Sequence, residues 1–178
     1  MKEKTDNNFA NTRGPGWRYQ LKITLAGTEP PIWRRILVHP ALRLDQLHEI
    51  IQIVMGWADI HFHEFQVGSK TYGQFGLDEH ADGLRNEKKQ DLLRLMLKEG
   101  MQFSYEYDFG DHWLHDVLLE REVIACDLPG QPICLAGENA CPPEDCGGIS
   151  GHAELLCESW DGSGFDLEAT NADRKSVV

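Results

Sequence analysis

The chain has no apolar run near the roughly 20 residues a membrane span requires, so no membrane role is expected. Residues 1–16 are polar, without the apolar core of a signal peptide, and the expected location is cytoplasmic. No nucleophile elbow, phosphate-binding Gly loop, H-E-x-x-H pair or dinucleotide fingerprint occurs, which removes the signatures of the commonest enzyme classes. Asp108-Phe109-Gly110 resembles a kinase triplet, but the Gly-rich loop and the His-Arg-Asp segment are missing. Cysteine is confined to five residues between Cys126 and Cys157, with no C-x-x-C pair. An odd number without a secretion signal suggests thiols rather than disulfides and gives little support to a zinc site. Basic residues are scarce late in the chain: residues 1–124 hold 19 acidic and 15 basic side chains, residues 125–178 hold 10 and 2. A formal charge of −12 disfavours direct nucleic-acid binding outside a local patch such as Arg34, Arg35 and Arg43 with Lys22.

What is present fits one domain of 178 residues, long enough to bury a core without disulfides. A flexible leader is expected over 1–16, a single α+β domain over 17–166 and a polar tail over 167–178. Tyr19, Leu21, Ile23 and Leu25 alternate with polar residues, the period-two pattern of a half-buried strand. After a Gly-Pro break, Ile32 to Val38 makes its hairpin partner. Leu44, Leu47, Ile50, Ile51 and Val54 fall on one helical face, closed by Gly56 as C-cap, with His48 beside that stripe as a partly buried, hydrogen-bonded structural histidine rather than a ligand. Trp57 to Gly76 reads as extended, Gly76 to Asn86 as loop, and Glu87 to Leu97 as a second main helix. Met101–Tyr107 and Trp113–Val123 form the clearest hairpin. Beyond Ile124 the periodicity fades into an irregular segment with a short helix from Gly151 to Glu158. The expected architecture is a small, mainly antiparallel sheet of hairpins with two main helices packed on it.

Two constellations carry chemistry. Tyr105 to His115 crowds Tyr107, Asp108, Asp111, His112, Trp113 and His115 around the hairpin tip. Turn chemistry accounts for Asp108, Gly110 and Asp111 through positive φ and side chains that cap their own backbone, with the aromatics as cross-strand pairs. The alternative is a set of oxygen and nitrogen ligands, or an acid–base pair, at a sheet end. His61 and His63, on one face of a strand, could add metal ligands or simply pack there. The second constellation, Cys141-Pro142-Pro143-Glu144-Asp145-Cys146-Gly147-Gly148, is a rigid loop that holds Glu144 and Asp145 in place, for a ligand or only as a capped turn. A divalent metal is the cofactor this residue set would take, at some of Asp108, Asp111, His112, His61 and His63.

Trp33-Arg34-Arg35-Ile36, Leu47-His48, Met55-Gly56-Trp57, His61 to Phe65, Tyr105 to Trp113 and Cys141 to Gly148, in this order, resemble the plasmid pRiA4b ORF-3-like family over about Tyr19 to Phe165. The resemblance implies an α+β fold and association with plasmids or mobile elements. Some members carry a transposon-resolvase label, yet no nucleophilic serine set among arginines is found here. After Phe165-Asp166 the chain departs from the family pattern, which implies a shortened or absent final helix. The functional expectation is a non-enzymatic binding or accessory module with a protein partner. The alternative is a metal-binding protein or metal-dependent hydrolase, and it requires the two constellations to meet in one cleft.

Overall fold

The computed structural model describes residues 14, 16–74, 83–95, 97–128, 130–158 and 164–173. The expected leader lies outside them except for Gly14 and Gly16, as do residues 174–178 of the expected tail. Among the described residues the chain forms one eight-stranded sheet with three short helices. Its elements are β1 (Trp17–Leu25), β2 (Ile32–Val38), α1 (Leu44–Met55), β3 (His63–Val67), β4 (Lys70–Gly73) and β5 (Leu84–Asn86). β6 (Gln102–Tyr107), β7 (Trp113–Ile124), β8 (Ile133–Glu138), α2 (Gly148–Cys157) and α3 (Leu167–Asp173) follow. The strand order is β5-β4-β3-β6-β7-β1-β2-β8, antiparallel throughout except where β4 meets β5.

Sheet and helix meet through the alternation the sequence carries. Tyr19, Leu21, Ile23 and Leu25 of β1 are buried, and register extends that face into rows across the sheet. One row runs Phe65, Tyr105, His115, Leu25; the next runs His63, Tyr107, Trp113. α1 joins the same core through Leu44, Leu47, Ile51 and Val54. Its C-terminus is closed by Gly56 at φ 88°, whose N–H donates to Gln52 O at 2.8 Å.

The expectation of two main helices is corrected: among the described residues the sheet dominates and the helices are short, α1 with 12 residues, α2 with 10 and α3 with 7. Of the expected helix over 87–97, the described residues form a 3-10 turn at Glu87–Lys89 and turns without further helix. The leucine spacing suits a helix, but tertiary pairing takes the backbone instead. Leu44 N donates to Gln90 O, Leu92 N to Leu42 O and Leu93 N to Pro40 O, so these groups are bonded to the entry of α1 rather than to one another. The segment read as irregular after Ile124 contains β8, and part of the segment read as loop is β5. The expected polar tail opens with α3, whose Asn171 amide bonds both N and O of Cys134 and so satisfies the edge strand's outward groups.

Candidate functional site

At the exit of α1 the chain runs as a strap between the hairpin tip and the Cys141–Gly148 loop. Trp57 Nε1 donates to Pro142 O at 3.0 Å, Ala58 N to Glu144 Oε1 at 3.3 Å and Ile60 N to Tyr107 Oη at 3.1 Å. Phe62 O accepts from Asp108 N at 2.9 Å. The two constellations meet directly as well, since Tyr107 Oη donates to Glu144 Oε1 at 2.5 Å and Gly147 N to Asp111 Oδ2 at 3.1 Å. Burial, then the hydrogen bond to Glu144, push the Tyr107 phenol well above its ordinary value, so it stays protonated and donating.

The strap places His61 between Asp108 and Asp145. His61 Nε2 lies 3.6 Å from Asp108 Oδ2 and 3.1 Å from Asp145 Oδ1, and one donor atom from each of the three falls within 4.8 Å of the others. Nε2 is shielded from solvent yet makes no hydrogen bond to either carboxylate. The backbone is shaped around this point. Asp108 and Asp145 stand at φ 58° and 57°, left-handed conformations that non-glycine residues seldom adopt. The tip is a five-residue loop in which positive φ falls at Asp108, one of the three turn residues expected to use it, and at His112, but not at Gly110 or Asp111. Gly110 is needed for closeness: its N–H donates to Asp108 Oδ1 at 2.8 Å, and a Cβ there would sit 3.1 Å from the same oxygen.

Behind His61 lies a buried polar layer. His48 Nδ1 bonds Tyr105 Oη at 2.7 Å and its Nε2 bonds Asp59 Oδ1 at 2.8 Å. Gln52 donates to the same Tyr105 oxygen and accepts from Asp59 N. His63 Nε2 bonds Glu87 Oε2 at 2.8 Å, both side chains being buried. The His48 and His63 rings stack at 3.5 Å with planes 5° apart. Burial, and then the neighbouring His63, lower His48 to about 4, so His48 is neutral at pH 7.

The remaining candidates separate from this point. His63 does not join His61, because it enters β3 and turns to Glu87. Asp111 is spent on the loop backbone, and exposed His112 pairs with Glu106 at 2.6 Å. Trp113 and His115 are fully buried in the sheet face, and burial lowers His115 to about 4. Sequence reasoning missed Asp59 and Glu87, the carboxylates of the two imidazole pairs. No periodicity marks either, and only their separation from histidines that the fold brings near gives them a role.

Comparison places this geometry among known proteins. The family model described as plasmid pRiA4b ORF-3-like protein matches residues 18–172. The uncharacterized protein y4hQ of Sinorhizobium fredii (strain NBRC 101917 / NGR234) is 38% identical over 141 residues, covering 79% of this chain and 71% of that one. The crystal structure of a protein of unknown function, MM3350 from Methanosarcina mazei Go1, superposes with a TM-score of 0.76 at 34% identity, covering 86% of this chain and 96% of that one.

Proposed function

The chain belongs to the plasmid pRiA4b ORF-3-like family, and on that premise we propose that it is a divalent-metal-binding protein whose ligands are His61, Asp108 and Asp145. One observation carries the reading: three donor atoms from three separate segments converge on a point where the imidazole nitrogen has no hydrogen bond. Two atoms each about 2.1 Å from a shared ion are at most about 4.2 Å apart, and the 3.1 and 3.6 Å separations at His61 satisfy this. One imidazole with two carboxylates suits zinc, manganese or iron better than a thiolate-seeking metal. A bound ion would supply Lewis acidity or an activated water, the chemistry of a hydrolase. Glu144, held by Tyr107, is the adjacent carboxylate such chemistry would use. The test is metal content after purification without a tag or chelator, followed by titration calorimetry. About one equivalent of zinc, manganese or iron, lost in Asp145→Asn and His61→Ala, supports the reading; binding that those changes leave intact refutes it.

A second reading, an accessory module that docks a protein partner, draws on the exposed side chains of Ile60, Phe62 and Phe109, each next to a strap or tip residue of the site. Aromatic side chains such as Phe62 and Phe109 are enriched in recognition surfaces relative to the rest of a protein's exterior. The net charge of −12 favours a protein over nucleic acid as that partner. Salt-sensitive binding of the purified protein to duplex DNA would overturn this preference.

A further inference from the structure

A cavity of about 330 Å3 opens beside the His61 cluster, between α1, the strap and the 3-10 turn at Glu87–Lys89. That volume is within the range of small-molecule sites. Its wall carries four carboxylates and one ammonium, Lys88. Three of the carboxylates are engaged: Asp45 takes the Arg43 guanidinium at 2.9 and 3.0 Å, Asp59 takes His48, and Glu87 takes His63. Glu49 alone has neither hydrogen bond nor ion pair among the described residues. Partial desolvation at the cavity edge, then the charge of Asp45, raise its carboxyl above its ordinary value, with Asp59 acting in the same direction, so added positive charge is favoured there. At the lip, Ile60 and Phe62 are 62% and 52% exposed and offer hydrocarbon surface.

We propose that this cavity binds a small organic cation, a primary amine on an apolar body, with Glu49 receiving the ammonium and Ile60 and Phe62 covering the hydrocarbon. A carboxylate that accepts from an ammonium makes a charge-assisted hydrogen bond, stronger than any the same body with a neutral head could form. An anionic head would meet four carboxylates against one lysine and is excluded by like charge. The stacked imidazoles suit this ligand, since neutral His48 adds no second cation to the wall beside Lys88. The inference stands on the cavity and does not require the metal, although His61 borders both.

The probe is 2-phenylethylamine, with 2-phenylethanol and phenylacetate as the same body under neutral and anionic heads, titrated into the full chain and followed by protein NMR. The amine should bind at least about tenfold more tightly than either control, and Glu49→Gln should remove most of that preference. Glu49 is exposed on α1, so this change leaves the core untouched. Phe62→Ser should weaken amine and alcohol alike. Asp145→Asn should leave amine binding in place, so loss of metal binding with amine binding retained defeats only the metal reading. Equal binding of the alcohol or the acid, no saturation by the amine up to about 10 mM, or full amine affinity in Glu49→Gln overturns the proposal.

Discussion

Tyr107 Oη donates to Glu144 Oε1 at 2.5 Å while accepting from Ile60 N at 3.1 Å. Tyr107 and both of these partners are each one residue from a proposed ligand: Tyr107 precedes Asp108, Ile60 precedes His61 and Glu144 precedes Asp145. One phenol therefore ties together the three segments that must converge. Its raised pKa follows from this position, because burial and an accepting carboxylate both penalise the phenolate.

Tyr107→Phe should consequently lower divalent-metal affinity about 10- to 100-fold, the usual effect of losing a group that orients ligands, while costing only about 1 kcal/mol of stability. Calorimetric titration with zinc and manganese, beside urea unfolding of the metal-free protein, separates the two effects. A drop in stability with metal affinity unchanged would mean that the phenol serves only the fold.

Asp145 is largely exposed, so Asp145→Asn should leave the metal-free melting temperature nearly unchanged while abolishing any rise on adding metal. Thermal scans with and without about 1 mM metal test this, since a ligand at 100 times its Kd adds about 2.7 kcal/mol. A melting temperature that still rises in the variant would place the ion elsewhere.

Arg34 presents a different dependence. Its guanidinium is buried, with no carboxylate partner among the described residues, and donates to Val54 O at the end of α1, to Trp33 O and to Glu138 O of β8, with the Phe165 ring 4.1 Å away. It ties helix, sheet edge and C-terminal segment at one point. Arg34→Lys keeps the charge but cannot reach three carbonyls from one planar fork, and the cost should be about 2–4 kcal/mol by urea unfolding. Arg35, paired with Glu120 nearer the surface, should cost under about 1 kcal/mol on the change to Lys.

How much of this was legible in the chain follows from where each signal resides. The β6–β7 hairpin and α1 were legible because alternation and helical spacing are local, and Gly56 marks the helix end. β5 and β8 were not, because edge strands are half exposed and lose the alternation; β8 depends on Asn171, 37 residues beyond Cys134. The leucines of 87–97 misled because backbone bonding to Pro40, Leu42 and Leu44 outweighs helical propensity. In the candidate site, the carboxylates Asp108 and Asp145 were among the residues the sequence singled out. Their convergence on His61 could not, since it depends on the direction in which Gly56 releases the strap and on Trp57 gripping Pro142.

Acid should unfold the protein partly through its neutral buried histidines. His115 has its folded value near 4 through burial, below an unfolded value near 6.5. The unfolded chain therefore takes up this proton first, and stability rises with pH across the interval. The contribution is complete above about pH 6.5, declines as pH falls and is gone below about pH 4, a loss of at most about 3 kcal/mol. His48 acts in the same direction over the same window. His115→Leu should remove about one proton from the uptake on unfolding between pH 6.5 and 4.5, read from urea midpoints across that range. An unchanged slope would place the acid sensitivity elsewhere.

The junction of the two constellations can be separated from the ligands themselves at Gly148. Its φ is 66°, and a Cβ there would come within 2.6 Å of Asp111 O, a backbone atom that cannot swing aside. Gly148→Ala must therefore push α2 and the preceding loop away from the hairpin tip, in addition to the cost of a left-handed alanine. The expected loss is about 1–3 kcal/mol of stability, together with weaker metal binding, although no ligand has changed. Asp111→Asn keeps an oxygen for Gly147 N and should be nearly neutral in both measurements. If Gly148→Ala lowered stability but left metal affinity at the wild-type value, the loop would not need this seat to present Asp145, and the ion would have to be held by the strap and hairpin alone.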